Sequence, residues 1–336
     1  MFLWVIIIVM IYDDRIYGQQ EITEPVILAL INSPSFQRLK AVDQAGYFEP
    51  FYPGTAFSRL EHSIGVYLLL KQYNASLNEQ IAGLLHDVSH SAFSHCIDYA
   101  VDQGSPKNHD HQDNIFKEFV LKTEIPEILK KYNIDVGYIL NDHNFPLKER
   151  LLPDLCADRI DYSLRTAIIF KEIDLQFMTD FLAHLTTENN YWVFKDFNHS
   201  KTYAEVFSKL NDLYYAGFSS VVMFQTVGDL LKYSLKQKYI SYDDLYTTDQ
   251  QVLDKVKPYF DQDKQLFIFW QRMNNKIKAI NSPKDWEVCV YVKSRAINPW
   301  FKEGDKKLKL SDRLPNWSRE VTEKSQAKKY FLKFEQ

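Results

Sequence analysis

Residues 81–98 read IAGLLHDVSHSAFSHCID. The run opens as a buried helix would, yet it places three histidines and two aspartates within 18 residues. Buried charge is costly unless it is paired or bound to a metal. A chain carrying this stretch must therefore bring other polar groups against it or build a cleft around it.

The surrounding sequence supplies helices that could do so. In NSPSFQRLKAVDQAG (32–46), Ser33 can cap a helix, Pro34 suits its first position and Gly46 its exit. EPFYPGTAFSR (49–59) reads as a loop, and RLEHSIGVYLLLKQY resumes a helix whose stripe is Leu60, Ile64 and Tyr67. A further helix is predicted over 111–122. LLPDLCADRIDYSLRTAIIFKE (151–172) carries Cys156, Ile160, Leu164, Ala167 and Ile168 as an apolar stripe, with Asp158, Asp161, Tyr162 and Arg165 on a different face. YWVFKDF predicts a strand, and 203–237 returns to helix. WEVCVYVK (286–293) predicts another strand, followed by loops and a basic tail. The expected class is mainly α: a helical core over 1–235 and a smaller α+β region over 236–336, within the two-domain range for 336 residues.

Composition narrows the setting. Hydrophobic residues at 46% and charged residues at 25% fit a soluble protein with a sizeable core. The 21 Tyr and 23 Phe point to an aromatic-rich interior or to subunit contacts. A net charge of −4 gives no global field to recruit nucleic acid. Residues 286–336 hold 12 Lys and Arg against 7 Asp and Glu, a modest basic bias read as a solvated or subunit-contact surface. Cys96, Cys156 and Cys289 lack C-x-x-C spacing and read as reduced thiols of an intracellular protein. MFLWVIIIVM is about half the length of a membrane-spanning helix and lacks a basic n-region. A buried strand over 1–12 and a cytoplasmic protein without membrane contact are expected.

His86 and Asp87 are adjacent, His62 lies on the preceding helix and Asp158 on the 151–172 helix. Two imidazoles and two carboxylates from three helices would form a mixed nitrogen and oxygen site with open positions, suited to Mn, Fe, Mg or Zn. From pattern alone, His62 reads as a hydrogen-bonded core residue. His86–Asp87 is evenly balanced between a ligand pair and unrelated polar residues.

RLEHSIGV, LLHDVSHSAFSH and ADRIDYSLR, in this order, resemble the motifs of the HD-domain metal-dependent phosphohydrolases. The match is closest to the branch containing the SAM-and-HD-domain dNTP triphosphohydrolase and its bacterial relatives. SPSFQRLKAVDQAG followed by FYPGTAFSRLEHSIGV is similar to that branch's entry segment, so the resemblance covers about residues 11–235. It implies an all-helical HD core, a divalent metal held by His62, His86, Asp87 and Asp158, and a dimer or tetramer.

The resemblance also implies that His90, His95 and His111 line the catalytic cleft. His95 and Asp98 are three residues apart, so the carboxylate can orient an imidazole that protonates a leaving oxygen. In NHDHQDNIF the register favours His111, with His109 as the alternative. Arg59, one turn before His62, suits a phosphate clamp. Arg159 and Tyr162 match positions that contact phosphate and nucleotide, and Gln44 one near the sugar. Where the family continues Arg-Asp, this chain has Arg165-Thr166. At the positions of the family's phosphate- and base-clamping Arg and Tyr, the best register gives Leu210 and Phe218, or Lys209, Tyr214 or Tyr215 after a small shift. Asn32, Gln37 and Lys40 stand where the family holds an activator nucleotide, and only Gln37 is the familiar residue.

The expected activity is metal-dependent phosphohydrolysis of a nucleotide, by attack of metal-activated water on phosphorus. The first expectation is a dNTP yielding deoxynucleoside and tripolyphosphate. The alternatives are another nucleotide phosphomonoesterase or phosphodiesterase, or a nucleotide-binding regulator with little turnover. No P-loop, dinucleotide fingerprint or G-x-S-x-G occurs. His143, His184 and His199 are expected at the surface or in packing.

Overall fold

Asp14 closes the first hairpin, its carboxylate accepting the backbone N–H groups of Ile16 and Tyr17. The hairpin comprises β1 (Met10–Asp14) and β2 (Gly18–Ile22), paired antiparallel. The computed structural model describes residues 9–335. Most of the strand expected over 1–12 therefore lies outside the described residues, and its described end is not buried: Ile11 is 53% exposed.

Helix α1 (Pro25–Ile31) leads to a short α2 (Pro34–Gln37) and a 3₁₀ turn over Arg38–Ala41. Ser33 caps α2 as expected, accepting the Phe36 N–H. The helix does not run on to Gly46. Val42 is already extended and Asp43 bridges to Ser58, which draws the segment across the following loop.

That loop ends in a capping box. The Ser58 hydroxyl accepts the Glu61 N–H while Glu61 accepts the Ser58 N–H, and together they fix the start of α3 (Arg59–Gln72). Such a cap contributes about 1 kcal/mol. Leu60, Ile64 and Tyr67 are buried as the stripe requires. α4 (Leu77–Leu85), packed on α3, stops at His86, and the next residues wind through turns into a 3₁₀ segment over Ser94–Tyr99. α5 (His111–Leu121), α6 (Ile125–Lys131) and α7 (Val136–Ile139) follow, with α6 and α7 closing a core around Ile27, Leu84 and Leu129.

The helix expected over 151–172 begins later, as α8 (Ala157–Ile169). Pro153 has no N–H to donate and disfavours helical backbone at Leu152. The Arg159 guanidinium instead binds the Arg150 and Asp154 carbonyls and folds this segment against the helix start. After α9 (Leu175–Ala183) come β3 (Leu185–Glu188) and β4 (Tyr191–Phe194), the latter within the predicted strand. The helix expected over 203–237 is two: α10 (Phe197–Leu210) widens into a π turn over Asn211–Tyr215, and α11 (Phe218–Lys236) restarts after Gly217.

Helix α13 (Lys264–Met273) packs on α11, and α12 (Asp249–Val256) adds Val252, Leu253 and Val256 to the same core. The remainder is mixed: β5 (Ala279–Asn281), β6 (Val288–Val292), β7 (Trp300–Glu303), β8 (Lys306–Lys309), α14 (Leu310–Arg313), α15 (Pro315–Lys324) and β9 (Lys328–Phe334). One sheet runs β5–β9–β6, and another runs β3–β4–β7–β8. In the second, β4 and β7 pair in parallel, so residues before and after 235 share a sheet. The class is mainly α with small sheets, and no described helix is long and apolar enough to cross a membrane.

Candidate metal centre

Four side chains from three helical segments meet at one point. The α3 cap sets Arg59 at the first helical position and His62 one turn on. His86 and Asp87 stand where α4 gives out, and Asp158 lies in the first turn of α8. His62 Nε2 is 3.2 Å from His86 Nε2, 3.0 Å from Asp158 Oδ1 and 3.6 Å from Asp87 Oδ2. His86 Nε2 is 3.4 Å from both Asp158 Oδ1 and Asp87 Oδ1.

The outer contacts decide what those atoms can accept. His86 Nδ1 lies 2.7 Å from the Gly83 carbonyl, which can only accept, so Nδ1 carries the proton. His62 Nδ1 lies 2.7 Å from Asp161 Oδ2, a carboxylate buried beneath it. Both Nε2 atoms therefore face two carboxylates, and a cation bound there would replace the proton that His62 otherwise shares with Asp158. This donor set fits a divalent cation, with Asp161 orienting one ligand from behind. Arg165 secures Asp161 through two bonds and also pairs with Asp14, all three fully buried. Gly65 makes room for this network, since a Cβ there would fall on the Asp161 carboxylate and the Arg165 guanidinium.

Electrostatics carry the same message. Burial opposes charge on His62, but hydrogen bonds to Asp158 and Asp161 outweigh it and raise the imidazole to about 9. Burial also opposes ionisation of Asp87, yet Arg59, His86 and His90 hold its carboxyl well below the usual range. The site attracts positive charge.

Arg59 is buried and anchored, Nη1 donating to Asp87 Oδ2 at 2.6 Å and Nε to Ser94 Oγ at 3.0 Å, while Nη2 has no partner. His90 Nε2 lies 3.3 Å from Asp87 Oδ1, and its Nδ1 is unpartnered. Burial and Arg59 lower His90 to about 4. His95 Nδ1 and Asp98 Oδ2 are 3.5 Å apart, and the His95 ring packs on edge against His90 at 5.1 Å. Burial and then Arg59 push His95 well below its ordinary value.

The ring stacked on His95, at 4.9 Å, is that of His109. His111 turns elsewhere: its Nε2 is 3.1 Å from the Tyr246 hydroxyl, and its backbone N–H binds Asp98. A positive φ of 52° at His109, two residues ahead of the helix, turns the chain and is not legible from register.

The remaining expected contacts divide. Gln44 Oε1 and the Tyr162 hydroxyl are buried without partners, and the Tyr162 ring lies 6.4 Å from His62. Arg159 is occupied, its two terminal nitrogens bound to Asp154, Cys156, Glu149 and Arg150. Tyr215 packs on Tyr162 at 5.4 Å, whereas Lys209 and Tyr214 both engage Glu172 and Leu210 is core. Gln37 and Lys40 border a cavity of about 600 Å³ beside α3. Away from this site, His184, His199 and Asp180 converge at the surface, a grouping their sequence spacing did not signal.

Residues 59–166 match the HD domain family. The uncharacterized protein YdhJ of Bacillus subtilis is 33% identical over 300 residues, covering 89% of this chain and 90% of that one. The metal-dependent phosphohydrolase cns2 of Cordyceps militaris is 38% identical over 48% of this chain and 46% of its own length. The deoxynucleoside triphosphate triphosphohydrolase SAMHD1 of Gallus gallus is 29% identical over 42% of this chain and 27% of its own. In fold, a phosphohydrolase from Bacteroides thetaiotaomicron superposes with a TM-score of 0.76 at 17% identity, covering 97% of this chain and all of that one.

Proposed function

Because the chain belongs to the HD-domain superfamily of metal-dependent phosphohydrolases, we propose that its substrates are nucleotides, and specifically that it converts a dNTP to deoxynucleoside and tripolyphosphate. One observation carries this reading. Around the four-donor centre, Arg59 Nη2, His90 Nδ1 and the Tyr162 hydroxyl are all buried and unpartnered. Buried polar atoms without partners cost about 1–3 kcal/mol each, so such a group of them calls for a polar ligand. The similarity to SAMHD1 over the helical core supports a deoxynucleoside triphosphate as that ligand.

His62, His86, Asp87 and Asp158 would hold the divalent ion. Bound there, it would polarise a phosphoryl oxygen and lower the pKa of water. Arg59 holds Asp87 ionised and offers Nη2 to a phosphate oxygen. His90, kept neutral by burial and Arg59, presents Nδ1 to the same group. Water adds to the α-phosphorus, the P–O5′ bond breaks, and O5′ departs with a proton. His95, neutral by burial and Arg59 while the cleft is empty, would gain a proton when the anionic phosphates bind beside it, and, held against Asp98 and stacked on His109, is the residue to deliver that proton. His109 thus takes the part that sequence register gave to His111. Tyr162 and Gln44 meet the nucleoside end. The proposal extends to a cytoplasmic homo-oligomer, dimer or tetramer, as the resemblance implies.

The test is chromatographic product analysis of the purified protein, with Mn or Mg, against the four dNTPs, the NTPs and the monophosphates. Deoxynucleoside plus tripolyphosphate is expected. Cleavage of monophosphates alone would replace the triphosphate reading with a phosphomonoesterase one. Nucleotide binding without turnover would favour a regulatory role.

A further inference from the structure

The mechanism above leaves two half-buried cations unused. Lys293 and Arg295 follow β6 in the C-terminal region, and neither side chain forms an ion pair or hydrogen bond with a described residue. Their neighbours elsewhere in that region are paired, Lys324 and Lys328 with Asp212 and Lys309 with Asp154.

Their backbone is pinned from two sides, each by a residue linked through aromatic packing to side chains that flank the candidate centre. On one side the Tyr99 hydroxyl donates to the Tyr291 carbonyl at 3.0 Å and lies 3.2 Å from His109 Nε2. His109 is the ring stacked on His95. On the other side Asn211, wholly buried, accepts the Arg295 N–H at 2.8 Å and donates to Ser294 Oγ at 3.0 Å. Asn211 opens the π turn that ends at Tyr215, whose ring packs on Tyr162. The segment 291–295 therefore runs from Tyr99, which bonds His109, to Asn211, which opens the turn that carries Tyr215.

We infer that Lys293 and Arg295 bind the phosphate chain of the substrate, so that the C-terminal region supplies the contacts that select a polyphosphate over a single phosphate. This rests on the nucleotide-hydrolase reading and deepens it. Arg59 is spent largely on Asp87, and Arg159 on its own loop, so neither offers a full guanidinium to a chain of phosphates. Two further cations meet that need, and Arg adds planar, bidentate recognition. The field already reaches the site. Burial and then Arg295 bring Lys293 down to about 8, and both cations help to lower His95 and His109. Asp113 and Glu149, the carboxylates that oppose this, form no ion pair with Lys293.

The test is calorimetric titration of the full-length, Mg-loaded protein with inorganic tripolyphosphate and with orthophosphate, Mg being in equal excess in cell and syringe. Wild type is expected to prefer tripolyphosphate by at least about tenfold. Lys293→Gln/Arg295→Gln should weaken tripolyphosphate binding by about tenfold or more and change orthophosphate binding by less than about threefold. Lys293→Arg should retain the preference. Unchanged melting temperatures separate these effects from misfolding, since both side chains lie outside the core. Equal tripolyphosphate affinity in wild type and the double variant would overturn the inference while leaving the hydrolase reading intact. Tight, cation-dependent tripolyphosphate binding without dNTP turnover would sustain the inference and overturn that reading instead.

Discussion

Arg59 Nη1 stands 2.6 Å from Asp87 Oδ2, with both side chains almost wholly buried. A proposed metal ligand is thus also half of an ion pair, and removing the guanidinium leaves a buried carboxylate uncompensated. Breaking a buried pair in this way costs about 3–5 kcal/mol. Arg59→Met should lose that much stability in urea titrations of metal-free protein, and saturating divalent metal should restore a large part, because the cation takes over the compensation. A loss below about 1 kcal/mol, the range of exposed pairs, would contradict the assigned burial and coupling.

Asp161 touches no proposed substrate atom, yet it fixes the tautomer of His62. Asp161→Asn should weaken metal affinity by about 10–100-fold, measured by competition with a chromophoric chelator. Gly65→Ala changes no polar group but drives a methyl into Asp161 and Arg165. It should weaken the metal in the same direction and lower the melting temperature. Wild-type affinity in both variants would mean that the second layer plays no part.

The surface cluster makes a pH prediction. His199 lies 2.7 Å from Asp196 Oδ2 and 2.9 Å from Asp180 Oδ2. Burial is the largest single influence and opposes its charge, but the hydrogen bonds to Asp180 and Asp196 together outweigh it and raise its pKa. A histidine raised on folding stabilises fully below its unfolded value, about 6.5, and that contribution fades as pH rises through the folded value. His199→Gln should therefore cost stability at pH 5.5 and little in alkaline buffer. Solvent screening keeps the difference under about 1 kcal/mol. A gap that widens with pH would reverse the assignment.

The four residues proposed as metal ligands were named through the resemblance carried by RLEHS, LLHD and ADRID, whereas helical pattern alone read His62 as core and left His86–Asp87 evenly balanced. Their second layer was only half legible, since Asp161 shares a helix face with Asp158 but nothing in sequence joins Gly65 or Asp14 to it. That His109 and not His111 stacks on His95 depends on a backbone turn at positive φ, which residue order does not encode for histidine. Continuous helices were expected over 151–172 and 203–237, where apolar periodicity runs on. Pro153 delays the start of the first to Ala157, and in the second the backbone widens at Asn211 and restarts after Gly217. The placement of Lys293 and Arg295 follows from that same widening, a tertiary event with no local signature.

The central claim is that one divalent ion, held by His62, His86, Asp87 and Asp158, supports hydrolysis. Its most direct test is elemental analysis of wild type and His86→Ala/Asp87→Ala, with dNTP turnover measured on the same preparations. The account predicts about one ion per wild-type chain. The variant, still helical by circular dichroism, should hold no ion at this site and show no turnover. A folded variant that keeps its metal, or hydrolyses dNTPs undiminished, would contradict it.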